Sequence, residues 1–395
     1  MPIHTAIKDL VPDVQIWRRE IHQNPELMYD VEGTAKFVAD RLRAFGCDEV
    51  KTSIGRTGVV GVIRGAKGSS SRSIGLRADM DALPIEEETN LPYRSKVPGK
   101  MHACGHDGHT AMLLGAAQRL AQTRDFAGNA VVIFQPAEEG GAGAMAMIDD
   151  GLMDIFGIEE VYGMHNAPQL PVGSFGLRKG PTLAAADEIT IIIEGLGGHG
   201  AMPHQCVDPV VVGAQIIVAL QTIASRNVDP LDSCVVSITR FEAGTADNII
   251  PPSAWLNGTV RTLKPATRDA VEKRIHEIVA GIAAAGGASA RVEYRRGYPP
   301  TINHAAQTDF AAEVARKVAG NAHVDPIAAP KMAAEDFSYM LETRPGAFIF
   351  IGNGDSANLH HPAYDFNDAS LPYGMSYWVE LVETALAPWR LNGPS

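Results

Sequence analysis

The stretch Met101-His102-Ala103-Cys104-Gly105-His106-Asp107-Gly108-His109-Thr110 decides how the rest of the chain is read. It sets three histidines, a cysteine and an aspartate within ten residues, broken by two glycines. Thiolate and imidazole are preferred ligands of borderline first-row divalent metals. On an extended segment Cys104 and His106 project to the same side. His106 and His109 are three apart and share a face if a helix opens near Asp107-Gly108. The following run, Ala111-Met112-Leu113-Leu114-Gly115-Ala116-Ala117, is helical in pattern. The stretch therefore reads as a loop that delivers ligands and then enters a buried helix. The plainer alternative, a helix N-terminus with polar capping residues, suits one histidine better than this cluster. Two or three ligands do not close a site, so the remainder must come from elsewhere.

Strands on either side of this helix point to where. Val59–Ile63 and Ser73–Leu76 read as strands, then the helix from Thr110 to about Gln122, then a strand at Ala130–Phe134 and another near Glu160–Met164. Helical spacing precedes them at Asp13–Asn24 and Glu32–Phe45, with Gly46 as a C-terminal stop. This alternation predicts an α/β layer with a mostly parallel sheet flanked by helices. Ligands in such folds bind beyond the carboxyl ends of the strands. There Leu76 is followed by Arg77-Ala78-Asp79-Met80-Asp81, Phe134 by Gln135-Pro136-Ala137-Glu138-Glu139-Gly140-Gly141, and Met164 by His165-Asn166. Each group has an ordinary reading, as turn residues, a helix-terminal charge pair or a hydrogen-bonded loop histidine. Three strand ends carrying acid or imidazole on one edge favour a metal site.

After Gly180 the character changes. Strands at Asp187–Glu194, Ser233–Phe241, Ala254–Thr262 and Ala290–Arg295 enclose helices at Pro209–Ser225 and Ala266–Ala285, the order of a ferredoxin-like α+β unit. We place it as an insertion over 184–296, with 1–183 and 297–395 forming the metal-dependent domain. Helices at Gln307–Ala319 and Glu335–Leu341, a strand at Ala347–Ile351 and a last helix from Ser370 resume the α/β pattern. The insertion also contains Gly195-Leu196-Gly197-Gly198-His199-Gly200, which matches G-x-G-x-x-G behind a strand. A dinucleotide fingerprint should open a helix there, whereas Ala201-Met202-Pro203-His204 follows, so nucleotide binding is rejected. A flexible loop presenting His199 and a simple turn remain open.

Length and composition bound the function. At 395 residues the chain exceeds what one core supports, so two domains are expected. A net charge of −12 without a basic run argues against nucleic acid or an anionic membrane as partner. No stretch approaches the ~18 consecutive apolar residues of a membrane span. The four cysteines form no disulfide framework and no apolar signal core follows Met1, so a cytoplasmic protein is expected.

Arg77–Pro84, Met101–Thr110 and Gln135–Gly141 together resemble the amidohydrolase branch of the M20 metallopeptidases, which includes hippurate hydrolases, N-acyl-amino-acid amidohydrolases, auxin-conjugate hydrolases and N-acetyl-diaminopimelate deacetylases. The likeness continues in order through Gly163–Asn166, Gly198–His204, Asp247–Pro251, Gly258–Arg261, Ala334–Phe337 and Leu359–Pro362. It implies a two-metal catalytic domain and a satellite domain that makes a homodimer or a dimer of dimers. It further implies metal ligands at Cys104, His106, Glu139, His165 and His360, with His361 as the competing neighbour of the last. Glu138 falls on the family's general base. His199, Asn248 and Arg261 match satellite positions that hold the substrate carboxylate or the developing oxyanion, His199 acting from the other subunit. Arg77 stands where a metal-binding histidine is usual in the wider superfamily, and Cys104 adds a thiolate. The two ions per subunit could therefore be zinc, manganese, cobalt or nickel. The roles of Asp79 and Asp81 stay open. The implied reaction is hydrolysis of N-acyl amino acids, small-molecule substrates, with an aromatic, hippurate-like acyl group leading on the pattern Leu359–Asp368. An acetyl-amino-acid or acetyl-diaminopimelate deacetylase is the alternative enzyme, and a binding protein without turnover the alternative of another class.

Overall fold

Ile74, Leu76 and Ala78 alternate with Gly75, Arg77 and Asp79 along the strand Ser73–Asp79, and every one of these side chains is buried. A strand with no wet face belongs in the middle of a covered sheet. It lies there, parallel to Asn129–Gln135 on one side and to Ile158–Pro168 on the other. The full order is Glu49–Ile54, Gly58–Arg64, Asn129–Gln135, Ser73–Asp79, Ile158–Pro168, Gly346–Gly354, Phe175–Gly176 and Val324–Asp325. The central strands are parallel and the first two, an edge hairpin, run antiparallel to their neighbours.

This computed structural model describes residues 5–387, which divide into two units. The sheet belongs to the first, made of the described residues up to Gly180, Ile302–Ala329 and those from Tyr339 on. The second comprises Pro181–Thr301 and Pro330–Ser338. In the first unit the helix His106–Thr123 is buried on nearly every side and packs against Val11–Gln23, Glu32–Phe45 and Leu371–Ala385. A helix buried all round is a core helix. The sequence expectation starts it at Thr110. It starts at His106 because Gly105 takes a left-handed φ of 85° and turns the chain directly into the first turn. Cys104 and His106 are therefore joined by a left-handed turn and not by an extended segment.

In the second unit four antiparallel strands run in the order Cys234–Ala243, Ser253–Thr262, Ala185–Glu194, Ser289–Arg296. In chain order this is 2-3-1-4, the ferredoxin-like arrangement. Ile189, Ile191 and Ile193 point to one face and meet Ile216 and Leu220 of Pro209–Thr222 and Ile275 of Pro265–Ala285 in a dry core. Asp208 caps the first of these helices by accepting from the Val210 N–H at 2.8 Å. With its π-helical extension Ile223–Asn227 this helix is, by length and composition, apolar enough to cross a membrane. Its buried positions Val212, Ile216, Leu220 and Ile223 are those of an amphipathic helix seated on a sheet. The glycine-rich segment opens no helix. Gly198–His199 pairs with Ile249–Ile250 in a short antiparallel ladder.

Candidate metal centre

Because Ser73–Asp79, Asn129–Gln135 and Ile158–Pro168 are parallel, Asp79, Glu138-Glu139 and His165 emerge on one edge of the sheet. The turn after Gln135 is tight. Ala137 and Ala142 adopt left-handed φ values of 53° and 55° without being glycine. Such conformations persist where the surroundings over-determine them. Asp81 supplies part of that determination, since one carboxylate oxygen accepts the N–H of Glu138 and the other that of Glu139, each at 3.0 Å. The two glutamates are thereby held as a pair.

Cys104, His106 and His165 bring a sulfur and two ring nitrogens within 4.8 Å of one another, and Cys104, Glu139 and His360 do the same. Cys104 is common to both groups, so it would serve whichever ions the two groups hold. Glu138 joins His106 and Glu139 in a third group. All five sequence-predicted ligands and Glu138 thus converge. His360 Nε2 lies 3.3 Å from Glu139 Oε1, whereas His361 turns back and accepts the Ala363 N–H on Nδ1 at 3.0 Å. His360 takes a positive φ of 64°.

The donor set fits divalent ions on its own chemistry. Both ring nitrogens of His106 and Oε1 of Glu139 are buried without a hydrogen bond, a costly state for polar atoms that a cation would relieve. Burial, then Glu139, Glu138 and Asp79, push the Cys104 thiol well above its ordinary range. Burial alone would depress His106, but Asp79, Asp81 and Glu139 outweigh it and carry it up to about 10. The acids packed around His106 thus favour positive charge at this point of the pocket. Burial drives His165 well below its ordinary value, and it lowers His109 as well.

The residues around the ligands include Asp79, whose role the sequence left open. Asp79 is claimed on both oxygens, by Arg77 Nη1 at 2.7 Å and by His109 Nδ1 at 2.7 Å, and so serves as a buried anion. Arg77 also donates to Gln135 Oε1 at 2.8 Å. The signal available was the spacing of Arg77, Asp79 and Asp81, two apart at a strand end.

The residues expected to hold substrate lie in the second unit. His199 and Asn248 meet on the short ladder, where the Asn248 carbonyl accepts the Gly200 N–H at 2.7 Å, and both are exposed. Arg261 is half-buried near the far end of Ser253–Thr262, opposite Ala186, and is not brought to them.

Comparison with known proteins adds a family context. The model of peptidase family M20/M25/M40 matches residues 75–384. Hippurate hydrolase of Campylobacter jejuni is 46% identical over 381 residues, covering 96% of this chain and 98% of that protein. N-acetyl-L-cysteine deacetylase of Bacillus subtilis is 44% identical, covering 90% and 83%. Among solved structures, the Bacillus subtilis YxeP protein, described as a dinuclear metal-binding peptidase from the M20 family, superposes with a TM-score of 0.85 at 36% identity, over 97% of this chain and 100% of that one.

Proposed function

As the chain belongs to peptidase family M20/M25/M40, a metal-dependent hydrolase acting on amides, we propose that it cleaves N-acyl amino acids into a carboxylic acid and a free amino acid, with N-aroyl, hippurate-like substrates preferred. The observation that carries this reading is the pair of donor groups sharing Cys104 beside Glu138. Two divalent ions of the zinc, manganese, cobalt or nickel type, held by Cys104, His106, Glu139, His165 and His360, would supply Lewis acidity to the acyl carbonyl and to the attacking water. Glu138 is buried at the mouth of the two-glutamate turn, held by Asp81 through its own N–H. It takes the proton from water as water adds to the carbonyl carbon, then delivers it to the departing nitrogen. Arg261 and Asn248 offer a guanidinium and an amide to the substrate carboxylate, and His199 a hydrogen-bond donor to the oxyanion.

Acetyl substrates are the second reading, favoured by the likeness to N-acetyl-L-cysteine deacetylase. Product analysis on benzoylglycine, acetylcysteine and acetyl-diaminopimelate, with and without chelator, separates the cases. Benzoylglycine should turn over fastest and chelation should abolish all turnover. Faster release of acetate replaces the aroyl reading with the deacetylase, and full activity of metal-free protein overturns the mechanism. A metal-loaded protein that turns over none of them is a binding protein.

We further propose a homodimer whose sites are completed between subunits. His199 springs from the Glu194 end of Ala185–Glu194, while Arg261 faces Ala186. Eight residues of strand, roughly 26 Å at ~3.3 Å each, separate those ends. One substrate therefore cannot meet both from one satellite unit. The exposed edge strand Cys234–Ala243 and the bare Val211 and Val218 of Pro209–Thr222 supply a surface for self-association. The four free cysteines support a cytoplasmic setting.

A further inference from the structure

His165 and Cys104 come from different parts of the chain, yet one buried residue touches both, His165 through its main-chain carbonyl and Cys104 through its side-chain amide. The carbonyl of Asn166 accepts His165 Nδ1–H at 2.7 Å. That bond leaves the proton on Nδ1 and turns the Nε2 lone pair towards Cys104 Sγ, 3.4 Å away. The Asn166 side-chain Nδ2 donates to the Cys104 carbonyl at 2.7 Å, so the same residue grips the backbone of the thiol ligand. Its Oδ1 accepts the Tyr364 hydroxyl at 2.8 Å, and its N–H donates to His109 Nε2 at 2.9 Å. His109 is in turn fixed by Asp79 and, through it, by Arg77. Asn166 is wholly buried, and each of its polar atoms is occupied. Gly105 makes this approach feasible, because a Cβ there would lie 2.3 Å from Asn166 Nδ2 and 2.5 Å from the Tyr364 hydroxyl.

We propose that Asn166 is the positioning residue that sets Cys104 and His165 relative to each other, its carbonyl holding the His165 ring and its side-chain amide the backbone of Cys104, which both donor groups share, so that loss of that amide is felt by both ions. The assignment rests on the metal-centre reading above. Its distinctive content is the coupling. Cys104 belongs to both donor groups, so a shift of its backbone is felt at two positions. A residue acting on His360 alone would disturb one.

The test titrates metal-free protein with Co(II), following the thiolate-to-cobalt absorption in the near ultraviolet together with bound cobalt per chain. Asn166→Ala should need roughly 10- to 100-fold more Co(II) to half-saturate both equivalents, the range typical of lost outer partners of metal ligands. Tyr364→Phe keeps the ring and frees only Asn166 Oδ1, and should move both midpoints in the same direction by a smaller factor. A merely structural role lowers the melting temperature and leaves the midpoints where they are. Folded Asn166→Ala with the parental midpoints and absorption overturns the proposal. If that variant does not fold, parental midpoints in Tyr364→Phe overturn it instead. A parent protein that binds no cobalt overturns the metal reading itself, a separate failure from the one that concerns Asn166.

Discussion

At the scale of the residue, neighbouring glutamates divide two tasks. Glu138 and Glu139 hang from the same Asp81, yet Glu139 lies against His360 and His106 while Glu138 stands beside them. Glu138→Gln keeps shape but accepts no proton, so turnover should fall ~10²-fold or more with metal retained. Glu139→Gln should instead lose metal, as elemental analysis of the two purified variants would reveal. Parental turnover in Glu138→Gln removes it as the base. A second prediction concerns His22, buried between Asp107 at 2.8 Å and Glu87 at 3.2 Å. Burial alone would lower it, but the bonds to those two acids prevail and carry it up to about 9. A group whose folded pKa is raised gives its full stabilisation below its ordinary value of 6.5, and that contribution is lost as pH rises through 9. The melting temperature of the parent should drop between those values, and His22→Gln should flatten the drop. An equal drop in both would remove His22 as its source. The sequence made the candidate cluster around Cys104 and His106 legible because metal chemistry restricts residue type, and the resemblance supplied the other proposed ligands. His22 was not legible, and Asp81 and Asn166 stood out by place but not by role, since a hydrogen-bonding partner is defined by distance in space and carries no pattern of its own.

Among the elements, the helix His106–Thr123 shows how packing overrides propensity. Gly108 sits in its first turn, where alanine would ordinarily gain up to ~1 kcal/mol. A Cβ there would stand 2.3 Å from the ring of Phe366, which is wholly buried and has nowhere to move. Gly108→Ala should therefore destabilise by about 1–3 kcal/mol, read as a lower urea midpoint with unchanged slope; a higher midpoint would mean that the ring yields. The same glycines explain why the helix start was misread: Gly105, Asp107 and Gly108 look like a loop until the ring and the amide they accommodate are known. The strand Glu49–Ile54 escaped notice for another reason. Its Lys51, Thr52 and Ser53 are exposed at a sheet edge and show no alternation. The ladder of Gly198–His199 with Ile249–Ile250 is too short to carry a period at all. By contrast Ile189, Ile191 and Ile193 announce a one-faced strand directly.

For the whole molecule, the chain order of strands and helices was enough to separate a parallel sheet from a ferredoxin-like insertion, while the capture of Pro330–Ser338 by the second unit depends on contacts no local pattern encodes. Sharing of sites between subunits is open to a direct check. Mixing His199→Ala with Glu138→Gln under subunit exchange should restore activity, since a mixed dimer has one site with both groups intact. Mixed dimers that stay inactive would confine His199 to its own subunit or to no catalytic part. The insertion has a further property that follows from its register. It enters on Ala185–Glu194 and leaves on Ser289–Arg296, adjacent antiparallel strands, with Ala186 N–H donating to the Tyr298 carbonyl at 3.0 Å and Gly297 N–H to the Ala186 carbonyl at 3.1 Å. Entrance and exit are thus one hydrogen bond apart. A gene segment for residues 185–297 is consequently a cassette, open to exchange for a turn of ~2–4 residues or for an unrelated module with adjacent ends, and whatever replaced it would take away His199, Asn248 and Arg261 together while leaving every proposed metal ligand in the remaining chain.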